Sequence, residues 1–140
     1  PTAVWMHKDS QFDYTGLKSF KGKRNGVVFG YPFFQDIQTS DFTIEKSDND
    51  ESNVKLLARG RVDALVDNIV RNGTVIINIG LSDQITYADK PFKVTKFHIA
   101  YNKNVPEKTI EKIDTALEEL HKSKVIKRIL EKHVYNPLEQ

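Results

Sequence analysis

Asp63 and Asp67 lie four residues apart around the short apolar run Val62-Asp63-Ala64-Leu65-Val66, and paired carboxylates are the side chains that general acid and base work requires. A strand between them separates the two by about 13 Å, too far to share a proton. Asp63 is therefore expected in the turn leading into the strand, and Asp67 as either a helix cap or a ligand contact at the carboxyl edge. The four histidines, His7, His98, His121 and His133, form neither an HxxxH nor an HxH pair and read as surface or strand-end residues rather than metal ligands. With no Cys there is no thiolate metal site, no cysteine nucleophile and no disulfide frame. No GxGxxG or GK[ST] phosphate loop is present, since Gly22-Lys23-Arg24 precedes a strand where such a loop would follow one. No cofactor is called for.

Lys18, Lys21, Lys23 and Arg24 form the local cationic cluster and read as a solvated turn, because Phe20 alone does not supply the aromatic interleaving of an RNA-binding face. Asn72-Gly73-Thr74 matches a glycosylation triplet but carries no weight in its apolar neighbourhood. Among Phe29, Tyr31, Phe33 and Phe34, Phe29 is expected in the core. Tyr31 differs, because it follows Gly30 at the end of one strand and precedes Pro32, which suits a first helical position. In open α/β sheets that edge is where ligands bind, facing the free N–H groups of a helix start.

The elements that would position these residues alternate. Thr2 to Met6 reads as a buried strand, Leu17 and Phe20 as one helical turn packed on a core, and Gly26-Val27-Val28-Phe29-Gly30 as a second strand. Phe42 and Ile44 mark a half-buried strand, and Ser47-Asp48-Asn49-Asp50-Glu51 marks a helix start whose acids oppose the helix dipole. Val54, Leu57 and Ala58 continue that helix until Gly60 stops it, before the strand Val62 to Val66. Between Asp67 and Leu81 two readings stand: Asn72-Gly73 suits a hairpin turn, whereas a parallel strand needs a helical crossover. Ile85 to Ala88 and Phe97 to Tyr101 are expected strands. Pro106 opens a helix with Ile110, Ile113, Ala116, Leu117 and Leu120 on one face; Val125, Ile126, Ile129 and Leu130 make the stripe of another. This order predicts a parallel sheet covered by helices.

Over 140 residues, 21 Lys plus Arg stand against 19 Asp plus Glu, with 39% apolar and 29% charged residues. That composition excludes a disordered chain and leaves no large cationic field for nucleic acid or anionic membrane. No stretch approaches the roughly 20 apolar residues that span a bilayer, and the chain opens with Pro1, so it reads as a soluble piece of a longer product.

Several segments carry a resemblance. Leu17-Lys18-Ser19-Phe20-Lys21-Gly22-Lys23 followed by Gly26-Val27-Val28-Phe29-Gly30 resembles the L-x-x-L-x-G-K-x-x-G-V-x-x-G stretch of family 3 bacterial extracellular solute-binding proteins. Leu56 to Ala64 is similar to their L-x-x-G-R-x-D-A, Phe97 to Lys103 to a late strand, and the closing helices to the family's ending, with Lys124 near its usual glycine. The resemblance implies a type II periplasmic binding protein-like α/β lobe: a mostly parallel central sheet with one antiparallel strand and helices on both faces. It also implies that residues 1–95 form the second lobe and 96–140 the closing strand and helices that normally complete a first lobe, whose main body is absent. The apolar stripes of the closing helices would then need another surface, and a dimer, an exchanged segment or disorder there is expected.

By the same resemblance the chain is a non-enzymatic, periplasmic ligand-binding lobe that closes by a hinge on a polar amino acid or similar small polar solute and engages the membrane subunits of an ABC transporter. The alternative is a sensory domain of a histidine kinase or another signalling protein with this fold. The ligand contacts carry over to Gly30, Tyr31, Pro32 and Phe33 after one strand and to Asp67 and Asn68 at the end of another. Amino-acid binders have small hydroxyl residues where this chain has Tyr31 and Pro32, and an ammonium-gripping Asp where it has Asn68.

Overall fold

A computed structural model describes residues 1–31, 42–96 and 98–133. These divide into two compact units, Pro1–Thr95 and Lys96–His133.

The first unit is built on a five-stranded sheet of order β3-β2-β4-β1-β5, in which β1 is Thr2–His7, β2 Arg24–Val28, β3 Thr43–Ser47, β4 Ala64–Asn68 and β5 Ile85–Tyr87. β2 runs parallel to β3 and β4, and β1 is antiparallel to both β4 and β5. Four strands thus share a direction and β1 alone opposes them. β1 is central, so both of its faces are buried, and side-chain alternation sends Ala3 and Trp5 to one face and Val4 and Met6 to the other. On the first face Trp5 meets Leu65, Ile85 and Tyr87 under two helices, α1 (Asp50–Ala58) and α2 (Ile69–Asn78), which contribute Val54, Leu57 and Ile76. On the second face Val4, Met6, Ala64 and Val66 pack against Phe12, Tyr14 and Phe20, the last from a single 3-10 turn, Leu17–Phe20. Phe20 stacks with Phe12, Tyr14, Phe42 and Phe92, whereas Leu17 at the start of the same turn is exposed.

Local chemistry explains the helix starts. Asn49 caps α1 by accepting from the Ser52 N–H at 2.8 Å, and Asp50 and Glu51 occupy the first turn. Arg59 closes the helix and Gly60 follows at φ 65°, a left-handed conformation that glycine adopts without strain. α2 settles the open segment in favour of the crossover. Asn68, not Asp67, is its cap, accepting from the N–H groups of Val70 at 3.0 Å and Arg71 at 3.2 Å. The hairpin fails because β4 needs a neighbour on each side, and only a crossover leaves β1 free to lie beside it.

Pairing partners also move strand boundaries that the apolar runs misplace. β2 begins at Arg24 and ends at Val28, so Phe29 lies past the sheet and is 73% exposed rather than in the core. β4 begins at Ala64, where pairing with Asn25 starts, and continues through Asp67 to Asn68. Gly26 lies in β2 because a Cβ there would meet Asn53 Oδ1 and Leu65 Cδ2, each at 2.4 Å.

In the second unit His98, Ile99, Ala100 and Tyr101 form no strand, contrary to the pattern of this segment; Phe97 lies outside the described residues. An alternating run becomes a strand only beside an edge that takes its N–H and C=O groups, and this one pairs with none among the described residues. α3 (Glu107–Lys122) has Pro106 at its cap and buries no residue, and α4 (Val125–His133) follows. Between them Lys124, near the motif's glycine, has φ 57°, in the left-handed region. Among the described residues no helix is long and apolar enough to cross a membrane.

Candidate functional site

The carboxyl ends of the three parallel strands β2, β3 and β4 lie side by side on the first unit. From β2 the chain leaves towards β3 on one side. From β4 it leaves through α2 towards β5 on the other. The gap between the ends of β2 and β4 is therefore the point where successive connections diverge, and at such a point an open α/β sheet leaves a crevice for a ligand.

Four side chains converge there. Gly30, at φ 86°, turns the chain out of β2 and delivers Tyr31, whose hydroxyl hydrogen-bonds to Asp50 Oδ2 at 3.3 Å. Asp50 arrives from β3 as the first residue of α1. Asp67 comes from β4 on the same face as Leu65, two residues earlier, and its side chain is 3% exposed. Arg71, from the first turn of α2, donates through Nη2 to Asp67 Oδ1, places Nε 3.6 Å from Asp50 Oδ2, and lies over the Tyr31 ring at 4.1 Å from its centroid. A guanidinium is thus held by two carboxylates and an aromatic face, an arrangement its planar, delocalised charge suits.

Burial dominates the electrostatics. It pushes the Asp67 carboxyl up from its ordinary 3.8 to about 6, although Arg71 and the Asn68 N–H, donating to Oδ1 at 2.6 Å, both favour the charged form. The Tyr31 phenol is also raised, first by burial and further by Asp50, against the opposing pull of Arg71. Two buried polar atoms of the cluster, Asp50 Oδ1 and Arg71 Nε, have no hydrogen-bond partner among the described residues. Trp5 is tied in from below, its indole N–H donating to the Asp67 carbonyl at 3.4 Å.

Of the residues singled out in the sequence, the structure brings Gly30, Tyr31, Asp67 and Asn68 to this edge, with the Asn68 side-chain Oδ1 committed to capping α2. Pro32 and Phe33 lie outside the described residues. Asp63 stands at the other end of β4, where it accepts from Arg24 N–H and Nη2, each at 2.8 Å, and the hydrogen bond to Arg24 holds its carboxyl below the usual range. Sequence reasoning missed Asp50 as more than a dipole-opposing acid, and it missed Arg71 altogether. The signal for Arg71 was its spacing of four from Asp67, which becomes informative only once residues 69–78 are a helix. Among the described residues no group of three His, Asp or Glu side chains is placed to hold a metal ion.

No sequence-family profile matches the chain, and no curated protein sequence matches it significantly. Solved structures do. An ancestral arginine-binding protein bound to arginine is 29% identical, with a TM-score of 0.62 over 94% of this chain and 59% of that one. Substrate-binding domain 2 of Lactococcus lactis GlnP, in an open conformation, is 17% identical with a TM-score of 0.72 over 95% of this chain and 57% of that one. Domain 2 of the Thermotoga maritima arginine-binding protein, 17% identical, aligns over its whole length with 67% of this chain at a TM-score of 0.58. The chain spans a little over half the length of the two larger proteins. Its fold is the type II periplasmic binding fold, and the resemblance to the family 3 solute-binding lobe read from the motifs holds in three dimensions.

Proposed function

We propose that the chain is the second lobe and closing segment of a solute-binding protein that closes by a hinge on a polar amino acid or similar small polar solute and delivers it to an ABC transporter outside the cytoplasm. The observation that carries this reading is the convergence of Tyr31, Asp50, Asp67 and Arg71 at the point where the β2 and β4 connections diverge. Such a cluster presents hydrogen-bond donors, acceptors and an aromatic face to a small polar molecule, and retention by it needs no catalytic step. The structural neighbours named for arginine, for glutamine and for substrate binding support the same role.

The test is thermal shift of the protein completed to the two-lobed length of its neighbours, against amino acids, small amines, sugars and carboxylates. Ligand at about 100 times its dissociation constant stabilises the folded state by roughly 2.7 kcal/mol, read as a shift of several degrees. A hit among amino acids supports the transport reading; a panel without any hit sinks it.

For the second unit, the exposed Leu120, Ile129 and Leu130 support the further reading that this chain pairs with a second copy or exchanges a segment. Sedimentation at rising concentration tests that, and a monomer throughout counts against it.

A further inference from the structure

We infer that Arg71 sets the ligand class of this site: by holding the buried carboxylate of Asp67 it occupies the place of a ligand cation, so that the group a solute presents to this edge is an oxyanion rather than an ammonium. The inference rests on the solute-binding reading above and names the chemistry of that same site.

Access is the first reason. The Asp67 side chain is 3% exposed and that of Arg71 is 39% exposed, so an incoming molecule meets the guanidinium before the carboxylate. The second reason is competition. Asp67 Oδ1 already accepts from both Arg71 and the Asn68 N–H. Arg71 is tethered four residues away and binds without losing translational freedom, a loss that a free ammonium must offset to displace it. Displacement also gives up the contact with the Tyr31 ring at 4.1 Å and the Asp50 contact at 3.6 Å.

The third reason is what remains unused. A guanidinium carries five N–H donors in a planar fork that matches a carboxylate or phosphate. Among the described residues the Arg71 guanidinium donates one hydrogen bond, to Asp67, and its Nε is buried 3.6 Å from Asp50 Oδ2, so the donors an incoming anion meets are the η N–H groups. The charge of Asp50, which would repel an anion, is opposed at the same edge by the amino ends of α1 and α2. The rival cation site is Asp50 Oδ1, buried and also without a hydrogen-bond partner among the described residues, and the experiment separates the two.

The 140-residue chain, labelled with nitrogen-15, is titrated at pH 7.5 and constant ionic strength with succinate, with inorganic phosphate and with ethylammonium. The Arg71 Nε–H signal and the Asn68 and Asp50 amide signals are followed. At least one oxyanion is expected to shift the Arg71 signal saturably, succinate before phosphate for a carboxylate solute and the reverse for a phosphorylated one, while ethylammonium moves none of the three signals. In Arg71→Ala, ethylammonium is expected to shift the Asn68 amide saturably at concentrations that leave the unchanged chain unmoved. Arg71→Gln, which keeps an amide donor for the buried carboxylate, is measured beside it in case the alanine variant loses its dispersed spectrum.

Three results would overturn the inference: no response of Arg71 to either oxyanion, a saturable ethylammonium shift in the unchanged chain, or no gain of ethylammonium response in a folded variant. The two readings fail separately. An amino acid panel without hits leaves these ion responses standing, and an amino acid hit accompanied by an ethylammonium response removes only the role of Arg71.

Discussion

Asp63, just before β4, and Asp67, near its end, are held by arginines from opposite directions, Asp63 by Arg24 of the neighbouring strand and Asp67 by Arg71 of the following helix. The two pairs have opposite consequences. Asp63 is partly exposed and aligns the amino ends of β2 and β4, where its Oδ2 takes the Arg24 N–H and the Asp63 N–H reaches the Arg24 carbonyl at 2.7 Å. Asp67 is buried, and its pair with Arg71 closes the carboxyl edge where the candidate site lies. Removing Arg71 would leave a buried carboxylate without its partner, whereas removing Arg24 would return Asp63 to solvent.

The two aspartates are expected to titrate in opposite senses. Burial raises Asp67 to about 6 and the Arg24 hydrogen bond lowers Asp63, so carboxyl carbon-13 titration should give a midpoint near 6 for the first and below the ordinary carboxylate value for the second. A carboxyl raised in the folded state binds its proton more tightly there than when unfolded. The stability it contributes is therefore present below about 4 and lost as pH rises from about 4 to 6. Asp67→Asn should flatten the stability profile in that window; an unchanged slope would show that another group sets it.

Gly26→Ala is expected to destabilise the first unit by about 1–3 kcal/mol, as overpacking of a filled core does. The added Cβ would lie 2.4 Å from both Asn53 Oδ1 and Leu65 Cδ2, which belong to the α1 and β4 layers that meet over β2. Urea denaturation followed by the fluorescence of Trp5, the single tryptophan and fully buried, measures this directly. Equal midpoints for the two chains would mean that α1 does not pack on β2 as described.

Asn68→Ala should cost about 1 kcal/mol through loss of the α2 cap, and a few degrees of melting temperature with it. Asn68→Asp keeps an acceptor for the Val70 and Arg71 N–H groups and should recover most of the loss. Circular dichroism melts of the three chains check the order, and an alanine variant as stable as the aspartate one would remove the cap from the account.

The candidate site was half legible in the sequence. Gly30 before Tyr31 and the end of the run containing Leu65 and Val66 marked two strand ends, and period two already placed Asp67 on the face of Leu65. Its partners were hidden because they come from elements whose contacts are distant in the chain. Asp50 looked like an ordinary first-turn acid, and Arg71 fell in a segment that local pattern alone read slightly better as a hairpin.

What the residues determined by themselves is whatever a few neighbouring side chains decide: the apolar run of β1, the Asn49 and Asp50 start of α1, the stop at Gly60 and the alternation that demands parallel strands. Tertiary structure decided the rest. Strand limits followed the pairing partner, so β2 shed Phe29 and β4 gained Asp67 and Asn68, while residues 98–101 found no edge and formed no strand. The reason is that a helix cap or turn is satisfied within one stretch of chain, whereas a strand, and the guanidinium that crosses to a buried carboxylate, are satisfied only by groups that folding brings from elsewhere.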